Sequence, residues 1–186
     1  MNKKWSIDEI QDVWQLATKM HDGQKYGGAK QGEQIEYINH IGSVTFEILT
    51  AVTVDNDMNP DLAMKCAILH DAIEDTDLSY DDILNEFGLE VANGVLALTK
   101  NENIDGKKAM MLDSLKRIKE QPKEIWAIKM ADRIANLYAP PFYWTNEKKS
   151  EYLEEARLIH DELRAGNKYL EVRLANKIIE YQKFID

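Results

Sequence analysis

Cysteine is nearly absent from this chain. Cys66 is the only one in 186 residues, so no internal disulfide can form and a reducing, cytoplasmic setting fits. No uninterrupted apolar run approaches the roughly eighteen residues of a membrane span, and no charged segment leads into a short apolar one. Membrane association and secretion are therefore not expected. Basic residues are also in deficit: 23 Lys plus Arg stand against 33 Asp plus Glu, a net charge of -10. Non-specific nucleic-acid binding comes mainly from phosphate neutralisation, so this balance excludes nucleic acid as a general partner. Four prolines, no low-complexity tract and no long linker leave nothing to divide the chain. Residues 1–186 read as a single domain, long enough to bury one sizeable core. Sustained period-two alternation is missing too, while helix formers dominate. An all-α protein is expected.

What is present is concentrated in one stretch. His70-Asp71-Ala72-Ile73-Glu74-Asp75-Thr76 follows an apolar helical run and holds one imidazole and three carboxylates in six positions. On a continuous helix His70 and Glu74 share a face, as do Asp71 and Asp75. Such a group, buried or half-buried, is very costly without a cation. A divalent metal is the simplest source of stability. One His-Asp pair supplies two ligands, and catalytic sites usually need three or more. His40, after Tyr37-Ile38-Asn39, and Asp132, within Lys129 to Asn136, are the two further candidates. Two nitrogens and two hard oxygens suit manganese, iron, magnesium or zinc, and ligand type alone does not choose among them.

Caps and breakers place the helices. Ser6-Ile7-Asp8-Glu9 reads as a capping box opening a helix to about Met20, and a second helix runs from about His40 to Val54. Asn59-Pro60 caps a third, expected to continue from Cys66 through Asp75. Ser79 opens a short helix closed by Gly88, followed by one to about Thr99 and one over Lys107 to Lys119. Pro122 starts the helix holding Asp132, which Pro140-Pro141 should end, and helices at about Asn146 to Arg164 and Asn167 to Phe184 complete the chain.

The order His40, His70-Asp71, Asp132 resembles the HD superfamily of metal-dependent phosphohydrolases. His21-Asp22-Gly23-Gln24, Tyr37 to His40, Leu69 to Thr76, Phe87-Gly88, Leu98-Thr99-Lys100 and Lys129 to Asn136 are similar to the hydrolase domain of RelA/SpoT homologues, over roughly two thirds of the chain. The resemblance implies an HD-domain helical bundle and a small-molecule nucleotide substrate. It further implies a stand-alone alarmone hydrolase that removes pyrophosphate from the 3′ position of (p)ppGpp using manganese. It makes His40, His70, Asp71 and Asp132 the metal ligands and Glu74 and Asp75 the proton-transfer pair, without settling which is the base; of the two, one turn beyond the ligands, Glu74 is taken as the stronger base candidate. Asn136 matches a nucleotide-contacting Asn, and Tyr152 resembles a substrate-contacting Tyr of stand-alone members.

Departures from the family pattern fall on substrate readers. Tyr26 stands where an Arg is usual, and the loop Lys25 to Gln34 is longer. Ile41 replaces a Pro, Ala135 a His, and Tyr138-Ala139 an Arg-Thr pair. Two alternatives follow: an HD phosphohydrolase acting on ppApp, a 5′-monophosphate or a cyclic nucleotide, or a non-catalytic nucleotide-binding regulatory module. Local cations must offset the acidic balance, with Lys25, Lys30, Lys100, Lys107 and Lys108 as candidates and Tyr26 able to stack or donate its hydroxyl. Tyr138, Phe142, Tyr143 and Trp144 suit base stacking or, equally, loop packing or a homo-oligomer contact. Met110, Met111 and Met130 read as core filler, His21 as support for the Gly-Gln turn, and His160-Asp161 as a solvated face.

Overall fold

A computed structural model describes residues 6–185. In chain order the main elements are α1 (Ile7–Met20), β1 (Lys25–Gly27), β2 (Gln34–Glu36), α2 (Ile38–Val54), α3 (Pro60–Leu69), α4 (Ala72–Asp75), α5 (Tyr80–Phe87), α6 (Leu89–Leu98), α7 (Lys107–Lys119), α8 (Lys123–Asn136), α9 (Asn146–Leu163) and α10 (Lys168–Tyr181). The expected all-α class holds. No described helix is long and apolar enough to cross a membrane.

Helices α2, α3 and α8 pack mutually and form the centre, with α1 and α6 against α3, α7 against α6 and α8, and α9 and α10 against α8. Every residue of α3 from Asp61 to Leu69 is buried, which explains why this helix shows little amphipathic bias. Its start is set by Asn59, whose side chain accepts from the Asp61 and Leu62 amides, with Pro60 following. Buried apolar residues from α1 to α10 form one cluster that includes Ile41, Ile68, Ile128 and Leu174.

Three expectations are corrected. Ser6 sits at the N-cap of α1, but its side chain makes no cap bond, whereas the Ser79–Asp82 capping box does form. A two-stranded antiparallel hairpin occupies the loop after Gln24, pairing Lys25 with Glu36, Tyr26 with Ile35 and Gly27 with Gln34. Strands of three residues are too short to show a period of two. The helix carrying Asp132 ends at Asn136, before Pro140-Pro141 can act.

A fourth correction shapes the site. The helix from Asn59 does not run through Asp75: α3 stops at Leu69, Asp71 adopts φ -103° and ψ 3°, and α4 begins at Ala72. In a continuous helix successive side chains point about 100° apart. The break lets neighbouring His70 and Asp71 aim at the same point.

Candidate active site

That point lies between α2, the α3–α4 break and α8. His40 is in the first turn of α2, buried, with its Nε2 3.2 Å from His70 Nε2 and 3.5 Å from both Asp71 Oδ2 and Asp132 Oδ1. His70 Nε2 lies 2.9 Å from Asp71 Oδ2. One ligand atom each from His40, His70 and Asp132 lies within 4.8 Å of the others, a group able to hold a metal ion.

The donor chemistry fits a cation. His70 Nδ1 is 2.9 Å from the Ala67 carbonyl and is placed to donate to it, which leaves the His70 Nε2 lone pair facing His40 Nε2. A buried pair of imidazoles flanked by two carboxylates is favoured by positive charge between them, a proton or a metal. The protonated alternative shows in the titration of the group. Burial opposes charge on His70, but Asp71 outweighs it and pushes the imidazole up to about 9. Burial likewise opposes ionisation of Asp71 and Asp132. The His70 imidazole draws Asp71 well below the usual carboxylate range, and the Lys129 ammonium draws Asp132 to about 2.

A supporting layer fixes these groups. Lys129 Nζ donates to Asp132 Oδ2 at 2.9 Å and Asn136 Nδ2 to Asp132 Oδ1 at 2.6 Å. The Tyr37 hydroxyl lies 2.6 Å from Asp71 Oδ2 and 2.9 Å from Asp75 Oδ2, joining the two carboxylates through one donor. Burial first, then Asp71 and Asp75, push its ionisation far above the ordinary tyrosine range, so it remains a hydroxyl. Its ring stacks on His21 at 5.1 Å. His21 in turn contacts Gln24 at 2.8 Å, and Gln24 donates to the Asp75 carbonyl at 2.6 Å, the geometry of a support for the Gly-Gln turn. Asp75 is an exposed residue, yet partial desolvation of its carboxyl, reinforced by the Asp71 charge, raises its proton affinity. Glu74 turns away towards Lys100, accepting from its backbone amide at 3.0 Å and from its ammonium.

The group opens into a cavity of about 1240 Å³. Lys25, Tyr26, Asn136 and Tyr152 all line it, as do Lys100 and Lys107, while Lys30 and Lys108 lie outside its lining. Lys25 pairs with Glu36 at 2.8 Å across the hairpin, and the Tyr26 hydroxyl accepts from Asn39 at 2.8 Å. Met110 is cavity wall rather than core filler, Met111 lines the cavity while packing against the core, and Met130 is fully buried. His160 is no solvated face: its ring is largely buried and its Nε2 has no hydrogen-bond partner.

The sequence argument missed Tyr37, Lys129, Arg133 and Lys148, all in the cavity wall. Tyr37 and Lys129 were readable in principle, since each lies three residues before a candidate ligand on a helix or its cap. Arg133 and Lys148 carry no comparable signal. Arg133 pairs with Glu155 at 3.2 Å and lies over the Tyr152 ring at 3.9 Å, contacts made across more than eighteen residues.

Similarity to known proteins covers about nine tenths of the chain or more. The protein is 28% identical to a Drosophila melanogaster protein named guanosine-3′,5′-bis(diphosphate) 3′-pyrophosphohydrolase MESH1, over 89% of this chain and 90% of that one. It is 31% identical to an Aquifex aeolicus (strain VF5) guanosine-3′,5′-bis(diphosphate) 3′-pyrophosphohydrolase, over 82% of this chain but 20% of that longer protein. A solved structure described as a metazoan ortholog of SpoT that hydrolyses ppGpp and plays a role in starvation responses matches with a TM-score of 0.78. It is 25% identical, with 98% of this chain and 99% of that one covered. No family model matches the chain.

Proposed function

We propose that this protein is a metal-dependent hydrolase that removes pyrophosphate from the 3′ position of (p)ppGpp, the whole chain acting as one domain. The convergence of His40, His70, Asp71 and Asp132 at one point, beneath a cavity lined by His40, Asp71, Asp132, Glu74 and Asp75, carries the reading. Relatives with this activity in their names, similar over about nine tenths of both chains, support it.

His40, His70, Asp71 and Asp132 would hold the cation, which we take to be manganese from the resemblance to the RelA/SpoT hydrolase domain; two imidazoles and two hard carboxylates are compatible with it. When bound, that cation supplies Lewis acidity towards phosphate oxygen and water. Asp75, tied to Asp71 through Tyr37, takes the proton of the attacking water. Glu74, engaged by both donors of Lys100, orients that lysine rather than acting as the base. This moves the base from Glu74, favoured on sequence grounds, to Asp75. Lys25, Lys100, Lys107 and Lys148 at the cavity wall offset substrate charge locally, which a protein of net charge -10 requires. Tyr26, Asn136 and Tyr152 contribute the polar and aromatic wall against which the nucleotide is held. The buried Cys66 thiol suits a reducing, cytoplasmic setting.

The test is a substrate panel: ppGpp, pppGpp, ppApp, nucleoside mono- and triphosphates and cyclic nucleotides, each with manganese, and with Asp71→Ala as control. Pyrophosphate released only from 3′-diphosphates, and only by the unmodified protein, supports the proposal. Orthophosphate from other nucleotides moves the substrate. Binding without turnover favours a regulatory module.

A further inference from the structure

Several aromatic rings line the cavity, and most are committed to protein neighbours. Trp144 meets Tyr152 edge to face at 5.0 Å, and Tyr152 is covered by Arg133. The Tyr143 ring packs so tightly on Gly27 that a Cβ there would lie 2.9 Å from it. Tyr37 is held between His21 and His40, with Tyr26 edge-on to it. Tyr138 and Tyr143 both line the cavity while exposed, at 51% and 61%, but only Tyr138 of the two lies next to the metal group in sequence, two residues beyond Asn136, whose amide holds Asp132.

Its remaining contacts come from α10. Lys177 Nζ sits 3.8 Å from the ring centroid, and Arg173 Nη2 donates to the Tyr138 hydroxyl at 3.3 Å. Arg173 is itself anchored on the buried Glu47 carboxylate of α2, at 2.7 Å and 3.1 Å. Lys177 and Glu47 are buried, so the ammonium approaches the ring from the protein interior, while Tyr138 stays 51% exposed in the cavity lining. An ammonium beneath an aromatic ring is attracted to its electron-rich face and holds the ring in place. The result is a braced, part-exposed ring lining the cavity that His40, Asp71 and Asp132 also line.

We propose that Tyr138 is the platform on which the purine base of the substrate stacks, with Lys177 and Arg173 as its positioning residues. The proposal deepens the nucleotide-hydrolase reading and rests on it for the substrate class. Stacking on an aromatic side chain is worth about 5- to 150-fold in affinity per base, and purines, with the larger π-face, gain most.

The experiment is equilibrium dialysis of the full manganese-loaded chain with GDP, UDP and inorganic pyrophosphate, alongside steady-state kinetics on ppGpp. Wild type is expected to bind GDP at least about fivefold tighter than UDP. Tyr138→Ala is expected to erase that preference and raise KM with kcat nearly unchanged, leaving pyrophosphate binding unaltered. Tyr138→Phe should keep the preference, which also shows that loss in the alanine variant is not misfolding. Lys177→Met should weaken GDP alone, and Lys177→Arg should restore it. Equal GDP and UDP binding in wild type, or an unchanged ratio or KM in Tyr138→Ala, overturns the platform. A base preference that depends on Tyr138 in a protein inert towards ppGpp would keep the platform and reject the hydrolase reading.

Discussion

Replacing Tyr37 by Phe removes one oxygen and tests how the site is organised. That hydroxyl has a single proton, yet it lies 2.6 Å from Asp71 Oδ2 and 2.9 Å from Asp75 Oδ2. It joins the side chain of a proposed metal ligand to that of the proposed base, whose backbones are linked separately by the Asp75 amide donating to the Asp71 carbonyl at 2.9 Å. A hydrogen bond to a charged group contributes about 1.5–3 kcal/mol, and loss of a partner that orients a metal ligand typically costs about 10- to 100-fold in metal affinity or activity. The ring remains in Phe, so the stack on His21 at 5.1 Å is kept and the fold should survive. Asp71 keeps its imidazole neighbours, whereas Asp75 is released. We therefore expect kcat to fall by about 10- to 100-fold and manganese affinity by about tenfold, with a thermal midpoint close to wild type. Initial rates of pyrophosphate release across a manganese titration separate the two effects. If kcat and manganese affinity both stay within about twofold, Tyr37 is a bystander and the coupling argument fails.

Further expectations concern the base, the charge state and the scaffold. Asp75→Asn should lower kcat by about 10²- to 10⁴-fold, the usual worth of a general base, and Glu74→Gln by less; the reverse order in a side-by-side assay returns the base to Glu74. Because His70 is raised from 6.5 to about 9 in the metal-free protein, its stabilising effect is complete below pH 6.5 and lost as pH rises through about 9. Manganese competes for the same lone pair, so its affinity should climb over that window. Thermal melts and metal titrations from pH 6 to 9.5 check both, and His70→Gln should flatten the stability profile. Asn59→Ala removes the acceptor for the Asp61 and Leu62 amides at the head of α3. A loss of about 1 kcal/mol is expected, or a drop of about 2–4 °C in Tm for a chain of this size. Calorimetry showing no change would mean that Asn59 does not set the start of that helix.

The sequence was most informative where local chemistry is unusual. Three carboxylates and an imidazole cannot be buried together without charge compensation, so His70, Asp71, Glu74 and Asp75 announce a site before any fold is known. Helix starts at Asn59 and Ser79 were legible because their side chains bond the free amides of the first turn. The break at Asp71 was not, because neither glycine nor proline marks it; the geometry emerges only when His70 and Asp71 both meet α2 and α8. The hairpin was hidden by the brevity of its strands. Tyr138 was visible as an aromatic residue near two prolines, but its brace comes from residues 35 and 39 positions away on α10, a separation that no local pattern encodes. Contacts of this kind depend on which helices pack together.

The central claim is that water attacks at the 3′ pyrophosphate and releases it whole. The most direct measurement is mass spectrometry of the products formed from ppGpp and manganese in ¹⁸O-labelled water. The account predicts GDP without label and pyrophosphate carrying one ¹⁸O, neither formed by Asp71→Ala. Orthophosphate as the first product, label in the nucleotide, or turnover that persists in Asp71→Ala would contradict it.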